Sequence, residues 1–362
     1  MSFFLILALA QQLTPTTLAT DLKGGYQVLA VDLNRDGRPD LIALASGLDH
    51  LDWFENPGTI GGEWKRHVIA SGFKQLINVA VLDLDGDGVP ELLIAHEFSN
   101  IPDKAKGIVS LVRLDGTRRD IDAIPTSHRL KVANGVFINA PLADPKSKPP
   151  LYEGKIPLTM YERGTLKPKL INDEDSGVMH GLFVTDWNGD GRDDLLTASF
   201  NGVYLLEGQK DSSYKRTLLQ AGNISDVTVA KVGGKKYLAT IEPWHGNQFV
   251  IYTPERLVLD DTLKEGHTVL SVDLDGDGND EVIYGSRGGG GALRMAKFDK
   301  KTKKWAVTPI YDGKIAANSC VAADLDGDKK PEVICIGGAT ANLVVLHSTV
   351  AAAVAVEPQR RP

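Results

Sequence analysis

Cysteine is nearly absent, with two residues in a chain of 362, so no disulfide framework can staple the fold. Cys320 and Cys335 fall on the two strands of one hairpin, offset by about a residue from facing each other, which predicts free buried thiols. A basic surplus is also missing: 40 Lys and Arg stand against 47 Asp and Glu, a net charge of −7. No basic stripe of the kind a phosphate backbone needs is present, so nucleic acid is excluded as a partner. No apolar run is long enough to span a bilayer. The stretch Met1–Ala10 is short and apolar and ends in Ala8-Leu9-Ala10, a small-residue cleavage pattern, though it carries no Lys or Arg. It reads as a signal peptide over residues 1–10 and directs the chain to secretion or the periplasm. Long helical periodicity, a Ser-His-Asp order, G-x-x-x-x-G-K and C-x-x-C are all lacking, which leaves hydrolase, nucleotide and thiol chemistry without support.

What the chain does have is glycine, 37 residues of it, and a repeated acidic loop. Five copies are explicit: Asp32-Leu-Asn34-Arg-Asp36-Gly-Arg-Pro-Asp40, Asp83-Leu-Asp85-Gly-Asp87-Gly-Val-Pro-Glu91, Asp186-Trp-Asn188-Gly-Asp190-Gly-Arg-Asp-Asp194, Asp273-Leu-Asp275-Gly-Asp277-Gly-Asn-Asp-Glu281 and Asp324-Leu-Asp326-Gly-Asp328-Lys-Lys-Pro-Glu332. Their first aspartates are 51, 103, 87 and 51 residues apart, so each long gap has room for one hidden unit. The first hidden unit is His128–Ala140, with the acidic loop cut to the hairpin turn Asn134-Gly135. The second is Ser225–Ile241, joined through Gly233-Gly234.

Seven units of about fifty residues match one four-stranded blade each, and the fold expected is an all-β, seven-bladed propeller over residues 14–349. Ile69, Leu259 and Ile310 each lie 14 residues before the next loop, and Leu18 keeps that spacing to Asp32. The N-terminal segment is therefore expected to supply the outer strand of the last blade and close the ring. Residues 350–362 read as a loose tail. Carboxylates at loop positions 1, 3, 5 and 9 with a carbonyl at 7 suit calcium, up to five structural ions in all, each holding an inner hairpin. Lys329 replaces the glycine at position 6 and makes the last loop the least secure site. The pattern resembles the FG-GAP and VCBS repeat propellers, a superfamily of adhesion modules, lectins and polysaccharide lyases that constrains function weakly.

Six residues before the loops stand His128, His180 and His267, with Asn318 and Tyr26 at the same place in two other blades. Inner strands would carry these side chains to the central channel, at the face opposite the acidic loops. Connections on that face add His96, Asn139, Glu242, Trp244, His245 and Arg287. Three neutral imidazoles from separate strands suit zinc or another divalent transition metal with an open position, so His128, His180 and His267 are the expected ligands. Histidines bonded to channel water without metal are the alternative.

The stretches Val178–Ser199, Ile241–Asn247 and Asp261–His267 resemble the propeller of aldos-2-ulose dehydratase and its bacterial relatives. That resemblance implies a metal-assisted lyase or dehydratase that eliminates from a keto sugar or oxidised glycoside. In such a site His245 is the best candidate base, with Glu242 and His96 as further acid–base groups. Trp244, Arg287, Asn318, Tyr26 and Asn139 are candidate substrate contacts, Arg287 for an oxygen or a carboxylate and Trp244 for a sugar face. The partner implied is a small sugar or glycoside bound by a monomer or weak oligomer. The competing reading is a carbohydrate- or protein-binding propeller without catalysis; a lectin of that kind would repeat its pocket in most blades, whereas these residues differ between blades.

Overall fold

A computed structural model of the protein describes residues 13–348; the expected signal peptide over 1–10 and the tail over 350–362 lie outside the described residues. Alternation of β-branched and small residues between turn signals produces seven four-stranded antiparallel sheets. Their inner strands are Gly25–Val31, Asn78–Leu82, Ser127–Ala133, Met179–Thr185, Asp226–Val232, Gly266–Val272 and Ala317–Ala323. We number the blades in that order. Each sheet runs outward in chain order, except that blade 7 takes Leu13–Ala19 as its outermost strand, paired with Leu343–Ser348. The ring closes as the spacing of Leu18 implies. Among the described residues the one helical element is a short turn, Pro102–Lys104.

The second strand is buried along its whole length in blades 1, 2, 4, 6 and 7, and its apolar residues meet those of the next blade. Phe249 and Tyr284 stack at 3.9 Å between blades 5 and 6. Burying one such ring contributes roughly 1.5–3 kcal/mol, so blade-to-blade packing carries the stability of the ring.

Both hidden blades are built as expected. Asn134 and Gly135 take φ of 51° and 72°, and Gly233 and Gly234 take 56° and 75°, the left-handed pairs that two-residue hairpins require. Each short turn is then secured by the acidic loop of the following blade. Asn134 exchanges hydrogen bonds with Asp193, and the amides of Lys231 and Gly233 donate to Asp280 and Asn279. Position 8 is aspartate in those two loops and proline in the other three, so a carboxylate stands where a short neighbour must be held.

The acidic loops share one geometry. The first aspartate accepts backbone amides from within its own loop, as Asp32 does from Gly37 and Asp324 from Lys329. The ninth residue accepts the amide of the second, as Glu332 does from Leu325 at 2.8 Å. That ninth residue already belongs to the next strand, since Glu332 pairs with Ala323. This corrects the cysteine expectation: counting the ninth residue as loop shifts the register by one, whereas Cys320 in fact pairs directly with Cys335 and the two form a disulfide. Lys329 keeps the loop's backbone path. Its φ of 69° places it in the left-handed region used by Gly37, Gly88, Gly191 and Gly278, so the bend survives without glycine.

Candidate functional site: a histidine cluster at the channel mouth

Five inner strands carry an irregularity at the same place. The register skips Tyr26, His128, His180, His267 and Asn318, each the extra residue of a β-bulge at the start of its strand. A bulge re-aims the side chain that the regular pleat would send elsewhere. Here it turns all five into the channel. The inner strands of blades 2 and 5 pair without a bulge and contribute no equivalent group.

The rings converge. His180 lies 4.9 Å from His128 and 4.8 Å from both His245 and His267, centroid to centroid. His245 arrives from the connection after the second strand of blade 5, held at φ 47° with its amide on the Ser225 hydroxyl. Among the described residues the histidine group whose ligand atoms all lie within 4.8 Å of one another is His180, His245 and His267; carboxylates of the acidic loops of blades 2, 6 and 7 form three further groups of that kind. This differs from the expected trio: His245 takes part, and His128, whose Nε2 is 2.7 Å from the Tyr26 hydroxyl, does not.

Two of the three rings are oriented from behind. His180 Nδ1 is 3.2 Å from the Ser225 carbonyl and His267 Nδ1 is 2.7 Å from the Asn318 carbonyl, so both protons sit on Nδ1 and both Nε2 lone pairs face the cluster. His267 Nε2 is buried without a partner. Three neutral imidazoles, two of them with backbone-fixed tautomers, and an orphaned inward nitrogen fit a divalent transition metal. Two guanidiniums border them. Arg129 Nη2 is 3.4 Å from His180 Nε2, and Arg287 Nη2 is 3.1 Å from His245 Nδ1.

Burial, then the charge of Arg129, holds the His180 and His128 rings well below the usual imidazole range. His267 is held down by burial and by neighbouring positive groups, and burial with Arg287 pushes His245 down to about 3. All four are neutral at pH 7. Unfolded imidazoles bind protons near pH 6.5 and the folded ones do so far lower, so this contribution to stability is complete above pH 6.5 and is lost as pH falls toward the folded values. The metal-stripped protein is expected to lose stability between pH 6.5 and 5, at up to about 1.4 kcal/mol per pH unit for each proton taken up. Urea melts at pH 7, 6 and 5 measure it; a flat profile would mean the rings protonate in place.

A cleft of about 600 Å³ lies beside the cluster, lined by Tyr26, Arg287, Asn318, Glu265, Phe98 and Gln75 among others, and His245 lines a second pocket of about 510 Å³ that shares Glu265 with it. Deeper in the channel lies a polar cavity of about 100 Å³ with Gln27, Asn78, Arg129, Lys131 and Asp226 on its walls. Burial raises Asp226 to about 6. Arg129 borders the cluster and was not singled out from the sequence. One step past the bulge position stand Gln27, Asn78, Arg129, Gly181, Thr268 and Ser319, so the same count moved by one residue would have found it.

Other candidates fall elsewhere. Glu242 accepts from Thr240, Tyr252 and Arg256 and is spent within blade 5. His96 bonds Ser110, which donates to Asp120, inside blade 2. Asn139 bonds Ser127 and Tyr161 and is buried. Trp244 is half-buried, packs against Tyr152 and Phe200 and backs the His245 ring at 4.8 Å.

The fold and site together define a seven-bladed propeller with a histidine-lined channel. Residues 32–94 and 273–335 match the FG-GAP-like repeat, so blades 1, 2, 6 and 7 carry it. No curated protein matches the chain by sequence. Among solved structures it is similar to an exotype rhamnogalacturonan lyase, YesX, at 12% identity and TM-score 0.52, over 90% of this chain and 72% of that one. It is also similar to BBS1N, solved in complex with ARL6DN, at 11% identity and TM-score 0.57, over 94% and 97%. A rhamnogalacturonan lyase of Bacillus licheniformis aligns at 13% identity and TM-score 0.49, over 94% and 76%. At such identities the likeness carries the fold alone, and it spans a lyase and a protein solved with a protein partner.

Proposed function

We propose that the channel mouth is the active centre of a carbohydrate-active lyase, with a divalent transition metal, zinc by preference, held by His180, His245 and His267. The observation that carries this reading is the convergence of three imidazoles, two of them fixed by backbone carbonyls, around the unpartnered Nε2 of His267. When bound, the metal supplies Lewis-acid polarisation of a sugar oxygen and offsets negative charge on it. The resemblance of residues 178–199, 241–247 and 261–267 to the aldos-2-ulose dehydratase propeller favours elimination from a keto sugar.

His128 is the base in this account. It is neutral, stands outside the metal trio and shares a 2.7 Å hydrogen bond with Tyr26. It takes the proton next to the carbonyl, the Tyr26 hydroxyl gives one to the departing oxygen, and the imidazolium reprotonates the phenoxide through their shared hydrogen bond, so both groups return to their starting state. Arg287 and Asn318, on the cleft wall, orient the sugar. The acidic loops bind structural calcium at the opposite face, about 20 Å away along the inner strands. Secretion follows from the signal-peptide reading of residues 1–10.

A screen of 2- and 3-keto sugars with zinc-loaded protein tests this, read as ultraviolet absorbance of an enone. Enone formation that requires metal is the expected result. Sugar binding without any product would leave a binding module as the better reading.

A further inference from the structure

We infer that the mouth takes the carboxylate of a sugar acid on Arg287, and that moving Arg287 onto that carboxylate releases His245 to join His180 and His267 around the metal. This rests on the reading of the mouth as a metal-assisted carbohydrate site and names its substrate class and its loading order.

A guanidinium only donates hydrogen bonds. With Arg287 Nη2 at 3.1 Å, His245 Nδ1 must be the acceptor, which leaves the ring proton on Nε2. That nitrogen is 3.3 Å from His180 Nε2, whose own proton is committed to the Ser225 carbonyl, so His245 Nε2–H donates to it. A protonated Nε2 cannot ligate. Of the three inward nitrogens only His267 Nε2 is therefore free, since His180 Nε2 accepts from His245 and lies 3.4 Å from the Arg129 guanidinium, and Arg287 keeps His245 in that donating state. When Arg287 leaves, the ring proton can sit on Nδ1 and Nε2 is freed, with the ring neutral throughout.

The charge at the mouth says what draws Arg287 away. Only Nε, bonded to Glu265, and Nη2 of its guanidinium are engaged, and its side chain borders the cleft of about 600 Å³. Arg129 adds a second cation beside His180. Among the described residues lining the cleft and the cavity beneath it, the carboxylates are Glu265, already paired with Arg287, and Asp226. A metal would add two positive charges to this. A neutral sugar leaves them uncompensated, whereas a carboxylate pairs with guanidinium in a two-point bond and balances the site. Linkage then makes the two ligands mutually reinforcing.

Calorimetric titration of Zn²⁺ into the stripped protein, alone or with D-glucuronate or D-glucose, tests this in wild type and R287Q. Glucuronate is expected to tighten zinc binding at least tenfold in wild type, glucose to leave it unchanged, and R287Q to lose the response. Equal zinc affinity with both sugars, or a glucuronate effect that persists in R287Q, overturns the inference while leaving the metal reading intact. If neither protein binds zinc under any condition, the metal reading fails instead. The carboxylate claim is then decided by direct titration without zinc: a preference for glucuronate over glucose that R287Q lacks supports it, and no preference overturns it.

Discussion

The His128→Ala variant is expected to slow elimination by about 10²–10⁴-fold, the usual worth of a positioned acid–base group, while holding zinc as tightly as wild type. The two halves of that result separate the base from the ligands. His128 meets Tyr26 at 2.7 Å and is not in the group formed by His180, His245 and His267. Its Nδ1 is buried without a partner, so the ring is held by packing against Phe98 and by the single bond to Tyr26. A Tyr26→Phe variant keeps the ring contacts and loses the hydroxyl. It should retain metal and lose rate, with the larger effect on substrates whose leaving oxygen needs a proton. Wild-type turnover in His128→Ala would remove His128 from the chemistry. Loss of zinc in that variant would instead restore it to the ligand set.

Removing calcium is the second change with a large expected effect. For loops of extracellular type, with dissociation constants of 10⁻⁴–10⁻³ M, about 2 mM calcium stabilises by roughly 0.6–2 kcal/mol at each site. Five such loops sum to several kcal/mol, and Tm is expected to fall on the order of 10 °C when a chelator replaces calcium. The loops should not respond alike. Arg38 already pairs with Asp36, Arg192 with Asp190, Arg113 with Asp85 and Glu91, and Lys297 with Asp275 and Glu281. Among the described residues no cation pairs with the loop of blade 7, and burial with the charges of Asp326, Asp328 and Asp324 raises Glu332 to about 7. That loop has the most to gain from an ion. It is expected to bind most tightly, the reverse of what Lys329 suggests in the sequence, and Asp324→Ala should cost more Tm than Asp32→Ala. Scanning calorimetry with calcium and with chelator decides the matter; a shift below about 2 °C would mean the loops are only soluble turns.

Much of this molecule was legible because its repeat is a ruler. The spacing from Asp32 to Asp324 gave the blade count, Leu18 gave the ring closure, and Asn134-Gly135 and Gly233-Gly234 marked the two blades without acidic loops. Counting back from each loop also brought His180 and His267 to one place. The count fails where contacts cross between blades. Nothing within blade 3 says that His128 meets Tyr26 of blade 1, or that His245 of blade 5 reaches His180 of blade 4. Loop residues are the hardest to place. Glu242 and His245 are three residues apart, yet one is consumed by Arg256 and Tyr252 while the other turns into the channel. The disulfide was missed by a single residue of register, for the strand begins at the last carboxylate of the loop and not after it.

The central claim is that His180, His245 and His267 form one metal site. Elemental analysis after exhaustive dialysis tests it most directly, on wild type, on His128→Ala and on the triple alanine variant of His180, His245 and His267, each reloaded with zinc. The account predicts one bound transition metal per chain in wild type and in His128→Ala, and none in the triple variant. Equal metal in all three, or none in wild type, would contradict it.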